Sequence, residues 1–221
     1  FVLNASDQFV YPFGSACVYT LTEHASNSGK GTVAANNHKA PANWFEKRLL
    51  SVQETVNVLD TMLKRLWLFN SGVHIIFTIS PVRHLREGVI ENNRSKAVLI
   101  QAVHQLVDAH DLLYYFPAYE LVIDDLRDYR FYAEDLVHPN YQATQYVWEK
   151  FTGACMMDET RELMKEIAEI NLAYKHKPFN PLTEQHRKFL ASYLSKTKAL
   201  QAKHACLDLG NELAYFANKG Q

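Results

Sequence analysis

Asp135 and His138 set a carboxylate three residues before an imidazole in the run Asp135-Leu136-Val137-His138-Pro139, and the proline keeps the histidine out of a helix. His138 is therefore expected on an extended loop, with Asn140 placed to cap the helix that follows. Such a loop can turn Asp135 onto one ring nitrogen of His138. The other nitrogen is then free to take a proton from a hydroxyl nucleophile, which is the base half of a Ser-His-Asp arrangement.

Three more polar clusters could join it: Gly14-Ser15, Asn36-Asn37-His38-Lys39 and Arg83-His84. Ester hydrolysis needs a general base, an orienting carboxylate and donors facing the developing oxyanion. A glycine N–H after a strand and an asparagine side-chain amide supply such donors, which makes Gly14, Asn36 and Asn37 candidates. Taken singly, each cluster has an ordinary explanation as a turn, a polar loop or a surface histidine. Arg83, His84 and Arg130 could hold a substrate carboxylate or phosphate. Pairing with Asp124, Asp125, Asp128 and Glu134 is the simpler expectation for them. Ten histidines invite a metal-dependent reading, but no HExxH and no Cys-x-x-Cys spacing accompanies them, so neither a metal nor a cofactor is expected.

The elements that would position these residues alternate between strand and helix over the first two thirds of the chain, as in a parallel sheet covered by helices on both faces. Gln8 to Phe13 reads as a strand entering the Gly14 turn, and residues 22–43 as a long polar loop. Ser51 with Glu54 forms a capping box, followed by Val52, Val56, Leu59, Leu63 and Leu66 at helical spacing and closed by Asn70-Ser71-Gly72. Val73 to Ile79 is nearly all apolar, as a strand buried on both faces should be. A helix from Ser95 to His110, a strand at Leu112 to Phe116 and a helix from Asn140 to Phe151 complete the pattern. Chain polarity puts the segments after residues 13, 79 and 116 at the carboxyl edge of the sheet, where open α/β folds build their sites. Composition changes beyond Gly153. Asp158 to His176 and Thr183 to about Asn218 then read as a helical hairpin around Pro178-Phe179-Asn180-Pro181, packed on the domain or forming an oligomer with a second copy. The expected division is a domain over 1–152 and a helical extension over 153–221.

Bulk composition narrows the function classes. The 221 residues hold 23 basic and 24 acidic side chains, a formal net charge of −1, which argues against a nucleic-acid or polyanion partner. Cys17, Cys155 and Cys206 are too few for a disulfide framework and favour a reducing, cytoplasmic compartment. No apolar run approaches the roughly 18 residues needed to span a bilayer. The chain starts at Phe1 and is expected to be the C-terminal portion of a longer protein.

Long separated motifs resemble the GSCFA-domain proteins, relatives of the SGNH/GDSL hydrolases. They are Phe13-Gly14-Ser15-Ala16, Val33-Ala34-Ala35-Asn36-Asn37-His38-Lys39, Arg48-Leu49-Leu50-Ser51, Ser80-Pro81-Val82-Arg83-His84, Tyr115-Phe116-Pro117-Ala118-Tyr119-Glu120, and Asp125 through Pro139. The resemblance implies a three-layer α/β/α, flavodoxin-like (SGNH hydrolase-like) domain with a parallel sheet. It also implies that Asp135 and His138 are the acid and base of a triad and that Gly14 is an oxyanion donor. The Gly-Ser-Cys-Phe-Ala motif, where the nucleophile would sit, belongs near the start of such proteins and is not found here. Ser15 imitates it, but by register falls on the third-block turn. Asn37 replaces the cysteine of the family's Asn-Cys-His-Lys pattern, which argues against thiol chemistry there. The implied activity is an esterase or acyl hydrolase acting on a small-molecule or carbohydrate ester through an upstream serine. The alternative is a non-catalytic module holding a polar ligand with residues 36–39 and Arg83-His84.

Overall fold

The computed structural model describes residues 17–21, 33–34, 42–85 and 88–218. It divides into two compact units, Phe1–Phe151 and Thr152–Gln221. Within these residues the chain is a mixed α/β protein.

Helix α1 (Val52–Phe69) begins as its sequence dictates: Ser51 Oγ accepts the Glu54 N–H at 3.2 Å, and the Glu54 carboxylate accepts the Ser51 N–H at 2.9 Å. One turn apart, Leu59 and Leu63 point inward. They meet Phe77 of β4 (Ile75–Phe77), Leu113 of β5 (Leu113–Tyr115), and Val103 and Leu106 of α2 (Gly88–Ala109). Strands β4 and β5 pair in parallel, Ile75 with Leu113 and Phe77 with Tyr115. A second cluster joins Ile79, beyond β4, to Leu99 of α2.

Three differences from the expected fold have physical causes. The strand expected at 73–79 is shorter and buried on one face only, with Ile76 44 % and Tyr114 46 % exposed. Side chains alternate across a strand, so the face carrying Phe77 and Leu113 meets α1 and α2 while Ile76 and Tyr114 point away. Helix α2 starts seven residues before the expected Ser95, because its first two turns bury the polar residues Asn92, Ser95 and Lys96. Among the described residues, parallel pairing is confined to β4 and β5. The described strands before α1 instead form an antiparallel sheet in the order β2 (Val33–Ala34), β1 (Cys17–Leu21), β3 (Phe45–Leu49). The sequence 22–43, expected as loop throughout, therefore includes a short strand and the start of a 3-10 turn at Ala42–Trp44. The strand expected at Gln8 to Phe13 lies outside the described residues.

Downstream of Phe116, the chain forms a short helix α3 (Ala118–Glu120), a π-helical stretch (Leu121–Leu126), a 3-10 turn (Tyr129–Phe131) and helix α4 (Tyr141–Cys155). The second unit holds α5 (Asp158–Lys175), α6 (Glu184–Lys203) and α7 (Gly210–Ala217). The expected hairpin is thus three helices. Its second arm breaks after His204, which lets Leu209 and Phe216 turn back onto Ile170, Ala173, Leu190 and Leu200. Among the described residues, no helix is long and apolar enough to cross a membrane.

Leu63 is fully buried while Leu68, on the same helix, is 89 % exposed. Leu63→Ala is expected to lower the unfolding free energy by about 2–5 kcal/mol. Leu68→Ala should change it by less than about 0.5 kcal/mol. Urea melts of the two variants check the placement of the core.

Candidate functional site

Residues 131–140 fold into a closed loop through their own backbone. An antiparallel bridge joins Tyr132 to Pro139, Ala133 N–H donates to His138 C=O at 2.8 Å, and Asn140 N–H donates to Phe131 C=O at 2.9 Å. Leu136 turns the chain at a φ of 55°. That turn brings Asp135 back. Its Oδ1 accepts the N–H groups of Val137 at 2.9 Å and His138 at 3.0 Å, and its Oδ2 lies 2.7 Å from His138 Nδ1. Asn140 ties the loop to the next helix. Its amide donates to Arg130 C=O at 2.6 Å and to Tyr132 C=O at 3.3 Å, while its Oδ1 accepts the Ala143 N–H in the first turn of α4.

The hydrogen bond from the His138 ring, then those from the backbone of His138 and Val137, hold the Asp135 carboxyl down at about 2. At neutral pH it is ionised and can only accept hydrogen bonds. Nδ1 of His138 therefore carries a proton, and in the neutral ring Nε2 keeps its lone pair. The side chains are 62 % and 48 % exposed, His138 and Asp135 respectively, so solvent screens the pair and it adds little to stability. A left-handed leucine costs about 1–2 kcal/mol. The loop accepts that strain for an arrangement whose stabilising return is small, and the stronger consequence is a fixed tautomer in which Nε2 is left available among the described residues.

The other half of the site leaves the sheet. Because β4 and β5 are parallel, their carboxyl ends share an edge, and residues 80–84 depart from it. Lys96 Nζ donates to Ser80 C=O at 2.6 Å, Ser80 Oγ accepts the Val82 N–H at 3.2 Å, and Asn92 Oδ1 accepts the His84 N–H at 2.9 Å. Arg83 N–H donates to Val137 C=O at 3.3 Å, which brings the Asp135–His138 loop to the same edge. The Arg83 guanidinium lies over the Tyr132 ring, 4.6 Å from its centroid, and 5.4 Å from that of Tyr129.

The structure thus brings Asp135, His138, Arg83 and the His84 backbone together. Gly14, Ser15, Asn36, Asn37 and His38 lie outside the described residues. Arg130 takes the structural pairing, with Asp128 at 3.2 Å, and Asp125 accepts the Tyr146 hydroxyl. Asn92 and Lys96, missed from sequence, carry the loop at 80–84. The signal was the spacing 92, 96, 99, 103, 106, which continues the apolar stripe of α2 into polar residues. Burial pushes the Lys96 ammonium down to about 8. No group of three or more His, Cys, Asp or Glu side chains placed to hold a metal occurs among the described residues.

Two family models match the chain: the GSCFA family over residues 2–151 and the C-terminal domain of GSCFA domain proteins over residues 167–220. The chain belongs to the GSCFA family. No curated protein and no solved structure matches it.

Two measurements test this geometry. In Asp135→Asn the amide can keep both backbone hydrogen bonds but presents a donor to the ring. The neutral His138 should then switch its proton to Nε2, visible in the ring-nitrogen shifts; an unchanged tautomer would show that Asp135 does not set it. Lys96 binds fewer protons folded than unfolded between about 8 and its ordinary 10.5, so stability rises with pH through that window. The native protein should therefore gain stability relative to Lys96→Met from pH 8 to 10.5 in denaturant melts, whereas parallel profiles would place the amine in water.

Proposed function

We propose that this GSCFA-family protein is an SGNH-type serine ester hydrolase in which His138 is the general base and Asp135 its orienting acid. The observation that supports this reading is the exposed imidazole whose Nδ1 is held by an ionised carboxylate, leaving Nε2 as a proton acceptor at the carboxyl edge of a parallel strand pair. The three-layer α/β/α arrangement belongs to the same proposal: α1 and α2 supply one helical layer against Phe77 and Leu113, and the proposal requires a second layer over the face of Ile76 and Tyr114.

The nucleophile is a serine outside the described residues, either Ser15 or the serine of a Gly-Ser-Cys-Phe-Ala motif upstream. Its hydroxyl adds to the ester carbonyl as Nε2 takes the hydroxyl proton. The tetrahedral oxyanion collapses, the C–O bond to the alcohol breaks, and Nε2 returns the proton to the leaving oxygen. Water repeats the sequence on the acyl-serine, releasing the acid and restoring the hydroxyl. Gly14 N–H and the Asn36 or Asn37 amide are the oxyanion donors in this scheme. The substrate class is an oxygen ester, such as an acylated carbohydrate or a peptidoglycan component.

A fluorophosphonate probe on the full-length protein should label one serine. His138→Ala should lower labelling and ester turnover about a thousand-fold or more without unfolding the protein, and Asp135→Asn should keep a residual rate. Absence of serine labelling on folded protein would overturn the hydrolase reading in favour of a ligand-binding module on the same scaffold.

A further inference from the structure

Among the described residues, the cations around the site differ in what they meet. Of the described arginines between residues 80 and 140, Arg94 pairs with Glu91, Arg130 with Asp128, and Arg127 donates to the Asp124 carbonyl. Three of the nearby carboxylates are engaged as well. Asp135 holds His138, Asp125 accepts from Tyr146, and Glu120 accepts the Tyr115 hydroxyl at 2.9 Å. Arg83 has no carboxylate partner among the described residues. Its guanidinium rests on aromatic faces instead, half-buried over Tyr132 and Tyr129, and its backbone N–H is bonded to the residue before His138.

A guanidinium held by its face against a ring keeps its N–H edge available, and that planar fork matches the two oxygens of a carboxylate or phosphate. The aromatic support also fixes the side chain before binding, which reduces the entropy lost when an anion docks. A second observation lies beneath it. The Tyr132 hydroxyl is buried and has no hydrogen-bond partner among the described residues. A buried phenol without an acceptor costs about 1–3 kcal/mol. Burial first, then the Asp124 and Glu120 carboxylates and Tyr132, push the half-buried Tyr119 phenol up while Arg83 pulls it down, which places the guanidinium in one cluster with both tyrosines and those two carboxylates.

We infer that Arg83 binds an oxyanion group, a carboxylate or phosphate, carried by the substrate, so that the site selects anionic over neutral esters. This rests on the hydrolase reading for the word substrate, but the anion site itself can be tested without turnover. Arginine Nε–Hε spectra of the intact protein, with Arg83 assigned by its loss in Arg83→Gln, would be followed during titration with succinate, inorganic phosphate and neutral succinamide. The Arg83 signal is expected to move saturably at millimolar succinate or phosphate and to stay in place with succinamide, while the Asp128-paired Arg130 signal stays still. An unmoved Arg83 signal, or equal shifts of Arg83 and Arg130, would overturn the inference. If the protein turns over esters, a hemisuccinate ester should be preferred to the matching acetate ester, and Arg83→Gln should raise KM for the hemisuccinate about tenfold. Turnover without that preference would overturn the anion site alone. Serine-probe failure with a saturable Arg83 shift would overturn the hydrolase reading alone.

Discussion

The Asp135 carboxylate accepts three hydrogen bonds at once, two from backbone and one from the His138 ring, and the local structure is arranged around that requirement. To bring Val137 N–H, His138 N–H and the imidazole onto one carboxylate, the chain must reverse within three residues. Leu136 makes the reversal with a left-handed backbone, and the Tyr132–Pro139 bridge closes it. The same bonds keep the carboxylate ionised to low pH, so the acceptor that fixes the ring tautomer is present across the physiological range.

The support for this loop comes from a helix face that is polar where a core is usually apolar. Asn92 and Lys96 lie buried on α2 and each satisfies a backbone group of the segment 80–84. Burying a lysine is unfavourable by solvation alone. The Ser80 carbonyl it meets is held in return, and through Arg83 N–H the segment reaches Val137. A chain of contacts therefore runs from the hydrophobic cluster at Leu99 and Ile79, through α2, to the residue beside the imidazole.

Local signals in the sequence were sufficient where the physics is local. The Ser51–Glu54 box, the Leu59 and Leu63 stripe, and the Asp135–His138 contact are settled by residues within one or two turns of each other, and each has the form its spacing implies. The antiparallel pairing of Cys17–Leu21 with Phe45–Leu49 was not legible, because Glu46, Lys47 and Arg48 mask a strand whose partners are set by tertiary contact. Nor was the true start of α2, where hydrogen bonding rather than apolarity decides burial. The ion partners of Arg83 and Arg130 were equally open in sequence. Only the fold separates the arginine that meets Asp128 from the one that meets two tyrosine rings.

Asn140 serves two elements with a single side chain, its nitrogen stitched into the loop and its oxygen capping α4. Fraying of the helix start and misalignment of the imidazole are thereby one thermal event rather than two. Warming that loosens the first turn of α4 would misalign the imidazole while the described hydrophobic clusters of the first unit remain intact, so the ring would lose its setting before the cooperative melt.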